Sequence, residues 1–509
     1  MILMGRNLSN NRLIRGVFGD ETSVGKVPMV NLLVKLYVAV VIVTYVLLTI
    51  APVVTMISTT PLSRIRMILG LLGALLLAVD AVTNRGLWRG KNCILLYGIC
   101  VCAGLSALQY VRYGLKDNLF DLAWVAIQFG LTYSLAQRLS KAEMSRFVRR
   151  VFAVTLVIWF AACCVSVYQF AMQIGYRYTF NPNSDSPELC RQGFWNHRLF
   201  GVFTGLDYAA YISLAHLIAG ISVVMGGKNR WLRIVVGIML IPIALYLVLC
   251  GSRSVQVALF LYASVFGWLM ARNRLESRGG LHALFLKLAA ALCALAVAVG
   301  CYYGVKKAAA YVPAYFAQLG QMDHWDDPEE DLPLEPDADL LDRTEVKGDI
   351  SNERFKIWRD YLGLYRDVGP FGLSLSNYND YIAEHHGELY IVQYFRDRLG
   401  DVEKTDLVYE CHNNYLFVLV STGWIGLALF VVFILLTLRG LLRDLKTHPT
   451  LSLEYVTALA IVGIGCVQAM FMNSVFLKIN APSFIFWLAL GMVNAAEKKE
   501  IQYVDKARL

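Results

Sequence analysis

The sequence predicts an all-α polytopic membrane protein, with about twelve transmembrane helices and one large extracytoplasmic loop containing short helices. Three observations predict it. Of the 509 residues, 57% are hydrophobic and 17% charged, with a mean hydropathy of +0.51; a soluble globular protein is ordinarily about 45–50% apolar and about 25% charged. The apolar residues gather into runs of about 20, the length that crosses a hydrocarbon core of about 30 Å. Short basic loops alternate with less basic ones along the chain, as the positive-inside rule requires of a multi-pass protein. The net charge of +9 is distributed by this rule and indicates no nucleic-acid partner.

In chain order, the expected parts are a cytoplasmic tail over 1–29, a bundle of about nine spans over 30–304 and an extracytoplasmic loop over 305–411. The remaining spans follow over 412–495, with a cytoplasmic tail over 496–509. Spans are expected near 30–52, 66–82, 92–111, 118–137, 150–172, 204–226, 231–250, 254–271, 283–304, 413–438, 455–473 and 481–495. The first thirty residues are polar and basic (Arg6, Arg12, Arg15, Lys26) and lack the short apolar core of a cleavable signal, so the run from Val30 reads as a signal anchor.

One alternating set of loops carries Arg85, Arg89 and Lys91; Arg138, Lys141, Arg146, Arg149 and Arg150; Lys228, Arg230 and Arg233; Arg272, Arg274 and Arg278; and Arg439, Arg443 and Lys446. That side is expected to be the cytoplasm, together with both termini and the basic tail Lys498, Lys499, Lys506 and Arg508. Arg64, Arg66, Arg112 and Lys116, in short outer loops, run against the pattern.

Three features then fall on the outer face: the loop from Gln173 to Phe203, with Arg177, Arg191, His197 and Arg198; the turn Cys250-Gly251-Ser252-Arg253-Ser254; and the segment from Gly304 to Cys411. Within the last, Asp323 to Asp349 is acidic and punctuated by proline, which predicts irregular chain. Ser351-Asn352-Glu353-Arg354 opens a helix with Phe355, Trp358, Tyr361, Leu362 and Tyr365 at helical spacing, and Gly369-Pro370-Phe371-Gly372 stops it. The aromatic face predicts a helix lying along the membrane surface.

The polar cluster Glu410-Cys411-His412-Asn413-Asn414-Tyr415-Leu416 runs directly into an apolar helix, with Gly423 and Gly426 expected inside its first turns. Asn413 or Asn414 can cap that helix. A helix N-terminus disfavours protonation of His412, leaving a neutral imidazole able to accept a proton, and the same positive helix end suits a diphosphate. Arg198 precedes the sixth expected span, and Arg253 occupies a turn of a few residues between two apolar helices. Either arginine alone also suits an interface anchor. A guanidinium in so short an outer turn calls for an anionic partner, and its planar fork of donors fits phosphate oxygens.

Other patterns carry less. Adjacent His385 and His386, flanked by Glu384 and Glu388, do not readily face one metal position. Asp337-Ala338-Asp339 has the form of a metal-binding D-x-D but sits in an acidic run. The eleven cysteines show no C-x-x-C; Cys190, Cys250, Cys301 and Cys411 fall near outer ends with no connectivity assigned. A phosphate-binding glycine loop with lysine is absent, and Asp80, Asp121, Asp207, Lys35 and Lys287 all fall near span ends. Both points argue against an ATP-driven or proton-coupled transporter.

Arg198-Leu199-Phe200-Gly201, Gly251-Ser252-Arg253, Arg354 and Trp358 followed by Gly369-Pro370-Phe371-Gly372, and His412-Asn413-Asn414-Tyr415-Leu416 with Gly423 and Gly426 resemble, in that order, motifs of the bacterial O-antigen ligase and polymerase family. The likeness covers roughly residues 195 to 430, with Ser254 where a glycine is common and a long acidic insert. The resemblance implies a GT-C-like membrane glycosyltransferase of the bacterial cytoplasmic membrane, with its active site on the extracytoplasmic side. Its donor would be an undecaprenyl-diphosphate-linked glycan. Its acceptor would be a second lipid-linked repeat (polymerase, the favoured reading) or the lipid A core or a protein (ligase). No cofactor and no metal are implied. Carried over, His412 accepts the acceptor hydroxyl's proton, Arg198 and Arg253 hold the diphosphate, and Arg354, Asn413 and Arg191 support them. A flippase for lipid-linked sugars and a non-catalytic assembly subunit are the readings of other classes.

Overall fold

The computed structural model describes residues 28–57, 59–84, 90–179, 189–275, 280–318, 340–341, 353–376, 378–393, 410–447 and 451–495. The terminal tails up to residue 27 and from 496, the basic residues Arg85, Arg89 and Arg278, the Asp337-Ala338-Asp339 pattern and the helix opening Ser351-Asn352 lie outside the described residues. So does the acidic stretch, except Leu340 and Leu341.

The first half is helical wherever the apolar runs predict: α1 Pro28–Leu47, α2 Ala51–Ile57, α3 Thr59–Asn84, α4 Cys93–Gln109, α5 Leu115–Ile127, α6 Leu135–Arg138 and α7 Lys141–Ala171. A π-helical stretch, Gln128–Tyr133, joins α5 to α6. Ser140 starts α7 with a capping box: its hydroxyl accepts from the Glu143 backbone N–H at 3.3 Å, and the Glu143 carboxylate accepts from the Ser140 N–H at 2.9 Å. Arg138 and Asp80 form a fully buried ion pair, and Arg138 also donates to the Gly130 carbonyl at 2.7 Å and the Ser134 hydroxyl at 2.9 Å.

The second half contains α8 Leu206–Gly226, α9 Arg230–Leu249, α10 Arg253–Arg274, α11 Leu281–Ala310 and α12 Val312–Gln318. It continues with α13 Arg354–Gly363, α14 Tyr365–Val368, α15 Tyr378–His385, α16 Asn414–Thr447, α17 Leu453–Ala469 and α18 Ala481–Ala495. Among the described residues, nine helices are long and apolar enough to cross a membrane; α4, α17 and α18 are shorter apolar helices. The helix that begins at Leu281 runs to Ala310, beyond the expected end at residue 304.

One core forms where Val34 of α1, Trp159 of α7, Tyr211 of α8 and Tyr246 of α9 meet. A second joins α4, α13, α15, α16 and α18 through Tyr361, Tyr378, Phe417 and Trp487. Successive long helices reverse direction, so the starts of α8, α10 and α16 share one end of the bundle with the ends of α9 and α17. Arg149, which pairs with Glu454 at 2.7 Å, and Arg272, which donates to the Leu445 carbonyl, mark the opposite end.

Two expectations are corrected. The segment from Gln173 to Phe203 is not simply a loop: it folds as an antiparallel sheet of β1 Gly175–Thr179, β2 Leu189–Trp195 and β3 Arg198–Gly201, in the order β1-β2-β3. The fold is therefore not wholly α-helical. Leu199 and Gly201 are buried while Arg198 and Phe200 are half-buried, a period of two that short strands show weakly in sequence. Bonds from Ala51 N–H to the Val202 carbonyl and from Thr204 N–H to the Thr49 carbonyl fasten the sheet to the end of α1.

Gly423 does not continue a helix either. It has φ +71 and breaks α16. The Gly369–Gly372 turn enters the break: Trp424 and Ile425 N–H groups donate to the Gly369 and Pro370 carbonyls at 3.1 Å each, and Leu373 N–H donates to the Val420 carbonyl at 2.7 Å. Ser106 of α4 donates to the Gly372 carbonyl at 3.0 Å, and the Asn118 side-chain oxygen of α5 accepts from Ser374, Leu375 and Ser376. Irregular backbone is thus carried among apolar helices with its polar groups satisfied.

The helix expected to lie along the membrane surface is α13. Ile357 and Tyr361 are buried in the core, whereas Phe355 and Leu362, with Tyr365 just beyond, are exposed.

Candidate functional site

Arg198 opens β3 directly after a tight turn in which Asn196 and His197 take positive φ. The turn is fixed from outside by a 2.8 Å hydrogen bond between His197 Nδ1 and the carbonyl of Leu340, which with Leu341 is buried in the first core. Arg198 Nε donates to the Cys250 carbonyl at 3.0 Å. This bond ties the strand to the turn between α9 and α10.

In that turn Gly251 has φ +59, a conformation glycine adopts without strain. Ser252 occupies the N-cap position of α10 but makes no side-chain cap. Its hydroxyl donates instead to Asp207 Oδ1 at 2.6 Å. Ser254 donates to Gln468 Oε1 at 2.9 Å, and Gln468 Nε2 donates to the Asp207 carbonyl at 3.4 Å. The first turns of α8 and α10 are therefore locked to the end of α17. Arg253 is the first residue of α10, at a helix end whose partial positive charge suits an anion.

His412 sits just before α16 with φ +46. Its half-buried imidazole has Nδ1 buried without a hydrogen-bond partner among the described residues. Burial pulls its pKa below the ordinary imidazole value; Glu410 opposes this, Arg354 adds to it, and Asp207 opposes it. The next two residues have separate tasks. Asn413 caps α16, its side-chain oxygen accepting from the Tyr415 and Leu416 N–H groups at 3.0 and 3.2 Å. Asn414 is fully buried; its oxygen accepts from the Val475 and Phe476 N–H groups at 2.7 and 2.6 Å, and its nitrogen donates to the Phe476 carbonyl at 2.9 Å.

Arg354 begins α13, with its guanidinium 6.0 Å from the centroid of the Phe471 ring. Burial lowers its pKa. Asp207 opposes that effect, while the like charges of Arg198 and Arg253 reinforce it. Arg198 and Arg253, from β3 and α10, thus lie near enough to Arg354 of α13 for their charges to act on it, and Arg354 near enough to act on His412 at the start of α16. Arg191 is exposed on β2, opposite Arg177 in register, and is not among the leading charges acting on Arg354 or His412.

Asp207 and Glu410 are the anions of this cluster that sequence reasoning passed over. A carboxylate two residues inside an expected span reads as a boundary residue, and Glu410 reads as part of a polar approach. The only available signal for Gln468 was an amide within an otherwise apolar run.

The other patterns resolve elsewhere. His385 Nε2 lies 3.2 Å from both the Tyr113 hydroxyl and Arg112 Nη2, and His386 lies between Asp367 at 3.6 Å and Glu388 at 3.4 Å. Among the described residues, no three His, Cys, Asp or Glu side chains come together as a metal site. Cys250, Cys301 and Cys411 are free thiols.

Residues 238–431 match the family model described as O-antigen ligase. The matched range contains Gly251-Ser252-Arg253, Arg354 and His412 through Gly426, and leaves Arg198 and Asp207 outside it. No curated protein and no solved structure matches the chain.

Proposed function

From the match of residues 238–431, which supports the O-antigen ligase and polymerase family, we propose that the protein transfers glycan from undecaprenyl diphosphate to an acceptor sugar at the extracytoplasmic face of the bacterial cytoplasmic membrane. The observation that carries this reading is a guanidinium cluster of Arg198, Arg253 and Arg354 whose member Arg354 acts on a half-buried histidine at one end of a helical bundle. The basic loops at the opposite end support the orientation.

In this mechanism the donor diphosphate lies at the N-terminus of α10, held by Arg198 and Arg253 with Arg354 beside them. His412, whose neutral form is favoured by burial and by Arg354, accepts the proton of the acceptor hydroxyl. The hydroxyl oxygen bonds to the anomeric carbon from the face opposite the diphosphate. The carbon–oxygen bond to the diphosphate breaks, and its electron pair leaves on the phosphate oxygen. The configuration at carbon therefore inverts. Preorganised guanidinium groups stabilise the charge that grows on the leaving group, and a positioned base contributes roughly 10²–10⁴-fold. Asn413 supports the base by fixing the helix start beside it. Arg191, exposed on β2, is assigned a peripheral contact to the donor or acceptor.

The acceptor is a second lipid-linked repeat, which makes the enzyme a polymerase. The description of the matching family favours the ligase as the second reading. The purified protein is given an undecaprenyl-diphosphate glycan with no other acceptor. Longer lipid-linked chains, absent with His412→Ala, support the polymerase. Transfer only when lipid A core or an acceptor protein is added supports the ligase. No transfer to any of these acceptors removes the reading.

A further inference from the structure

Three guanidinium groups that act on one another beside an imidazole call for an anion, and the fold places one among them from a helix outside the matched range. Asp207 stands in the first turn of α8. Its Oδ1 accepts the Ser252 hydroxyl at 2.6 Å, a side-chain link between α8 and the turn that carries Arg253. Its backbone carbonyl accepts from Gln468, which also holds Ser254. The carboxylate is therefore fixed from α10 and, through its own backbone, from α17. Ser252 and Ser254 also lie 3.2 Å apart, which closes the ring of contacts.

We infer that Asp207 is a positioning residue for the transfer: its carboxylate fixes the serine–arginine turn and supplies the negative charge that offsets the guanidinium of Arg354 and stabilises the imidazolium formed on His412. The inference rests on the histidine mechanism proposed above and adds a residue to it. Before the reaction, Asp207 limits the mutual repulsion of Arg198, Arg253 and Arg354. During it, the proton taken up by His412 creates a cation close to Arg354, and a fixed carboxylate offsets that repulsion. The charges that act most on His412 are Glu410, Arg354 and Asp207. Glu410 precedes the histidine by two residues on the same segment, Arg354 comes from α13, and Asp207 alone comes from α8. Those acting on Arg354 are Asp207, Arg198 and Arg253. Asp207 is thus among the charges acting on both His412 and Arg354.

The test uses full-length protein and initial rates of glycan transfer from the undecaprenyl-diphosphate donor across pH, for wild type, Asp207→Asn, Asp207→Glu, Ser252→Ala and His412→Ala. Asp207→Asn removes a charge that raises the proton affinity of His412. Its acid limb should move to lower pH by about half a unit to one unit, and its plateau turnover should fall roughly 10-fold. Asp207→Glu should restore the position of the limb. Ser252→Ala keeps the charge but frees the carboxylate from the turn. It should raise the donor KM several-fold and leave the limb in place.

A purely structural aspartate would lower the amount of active protein without moving the limb. Transfer lost in His412→Ala, with Asp207→Asn superimposing on wild type in both limb and plateau, overturns the role of Asp207 alone. If Asp207→Asn does not accumulate, a wild-type donor KM in Ser252→Ala overturns it. Transfer that persists in His412→Ala removes the underlying histidine mechanism, so the two failures are distinguishable.

Discussion

Gly372 and Gly423 meet backbone to backbone. A Cβ on Gly423 would lie 2.4 Å from the Phe371 nitrogen and the Pro370 carbonyl, and one on Gly372 would lie 2.5 Å from the Ser421 carbonyl carbon and the Thr422 nitrogen. Both glycines also have positive φ. The turn that fills the break in α16 follows α13 and α14, the segment that begins with Arg354, so the junction sets where that arginine stands.

The first prediction follows from this junction. Gly423→Ala and Gly372→Ala each force backbone apart and should cost roughly 1–3 kcal/mol or more. Gly463, whose added Cβ meets nothing within 4 Å, is the control, and Gly463→Ala should be near neutral. Thermal unfolding in detergent measures the difference. Equal midpoints for Gly423→Ala and Gly463→Ala would contradict the close approach.

The arginines give the second. Arg253→Ala and Arg198→Ala should each lower transfer by about 100-fold, the loss typical of removing one preorganised donor to a developing anion. Arg253→Lys should recover only part of this, because an ammonium is a point charge without the planar fork. Arg191→Ala should lose the least, since its side chain is exposed on β2. The readout is turnover with a saturating lipid-linked donor; an unimpaired Arg253→Ala would remove the diphosphate role.

pH supplies the third. Burial holds the pKa of His412 below the ordinary imidazole value of about 6.5. The base works when neutral, so transfer should hold its plateau below about pH 6.5 and fall only as the lowered pKa is crossed. The stability effect has a matching sign. The unfolded histidine takes up a proton first as pH falls, so the contribution of this group is complete above about 6.5 and is lost towards the folded value. A rate profile whose acid limb lies above the ordinary value would contradict the burial of this imidazole.

Two neighbouring asparagines give the fourth. Asn413→Ala removes a helix cap and should cost about 1 kcal/mol. Asn414→Ala leaves the Val475 and Phe476 N–H groups and the Phe476 carbonyl without their partner in a buried place, and should cost roughly 2–5 kcal/mol. Thermal unfolding of the two variants ranks them; the reverse order would contradict the division of labour between them.

The apolar runs locate the helices because about 20 consecutive aliphatic residues have few other uses. Arg198, Arg253 and His412 stand out in the sequence because each lies where an apolar run meets a polar turn, whereas Arg354 stands out only through the family resemblance. The sheet is not legible: β3 spans only Arg198–Gly201, too short for its alternation to stand out. Nor is the break at Gly423, since a glycine in an apolar run reads as a tolerated helix residue until the turn that fills the gap is known. Asp207 belongs to the same class: its partners Ser252 and Gln468 lie 45 and 261 residues away. Interactions between distant positions leave no periodic trace in one sequence.

The Asp80–Arg138 pair has a consequence for how the protein is made. Each side chain is fully enclosed and is charge-compensated by the other. Stripping a buried charge of its partner costs roughly 3–5 kcal/mol. Helices α3 and α6 are therefore expected to assemble together, since either one packed without the other would leave an enclosed charge uncompensated.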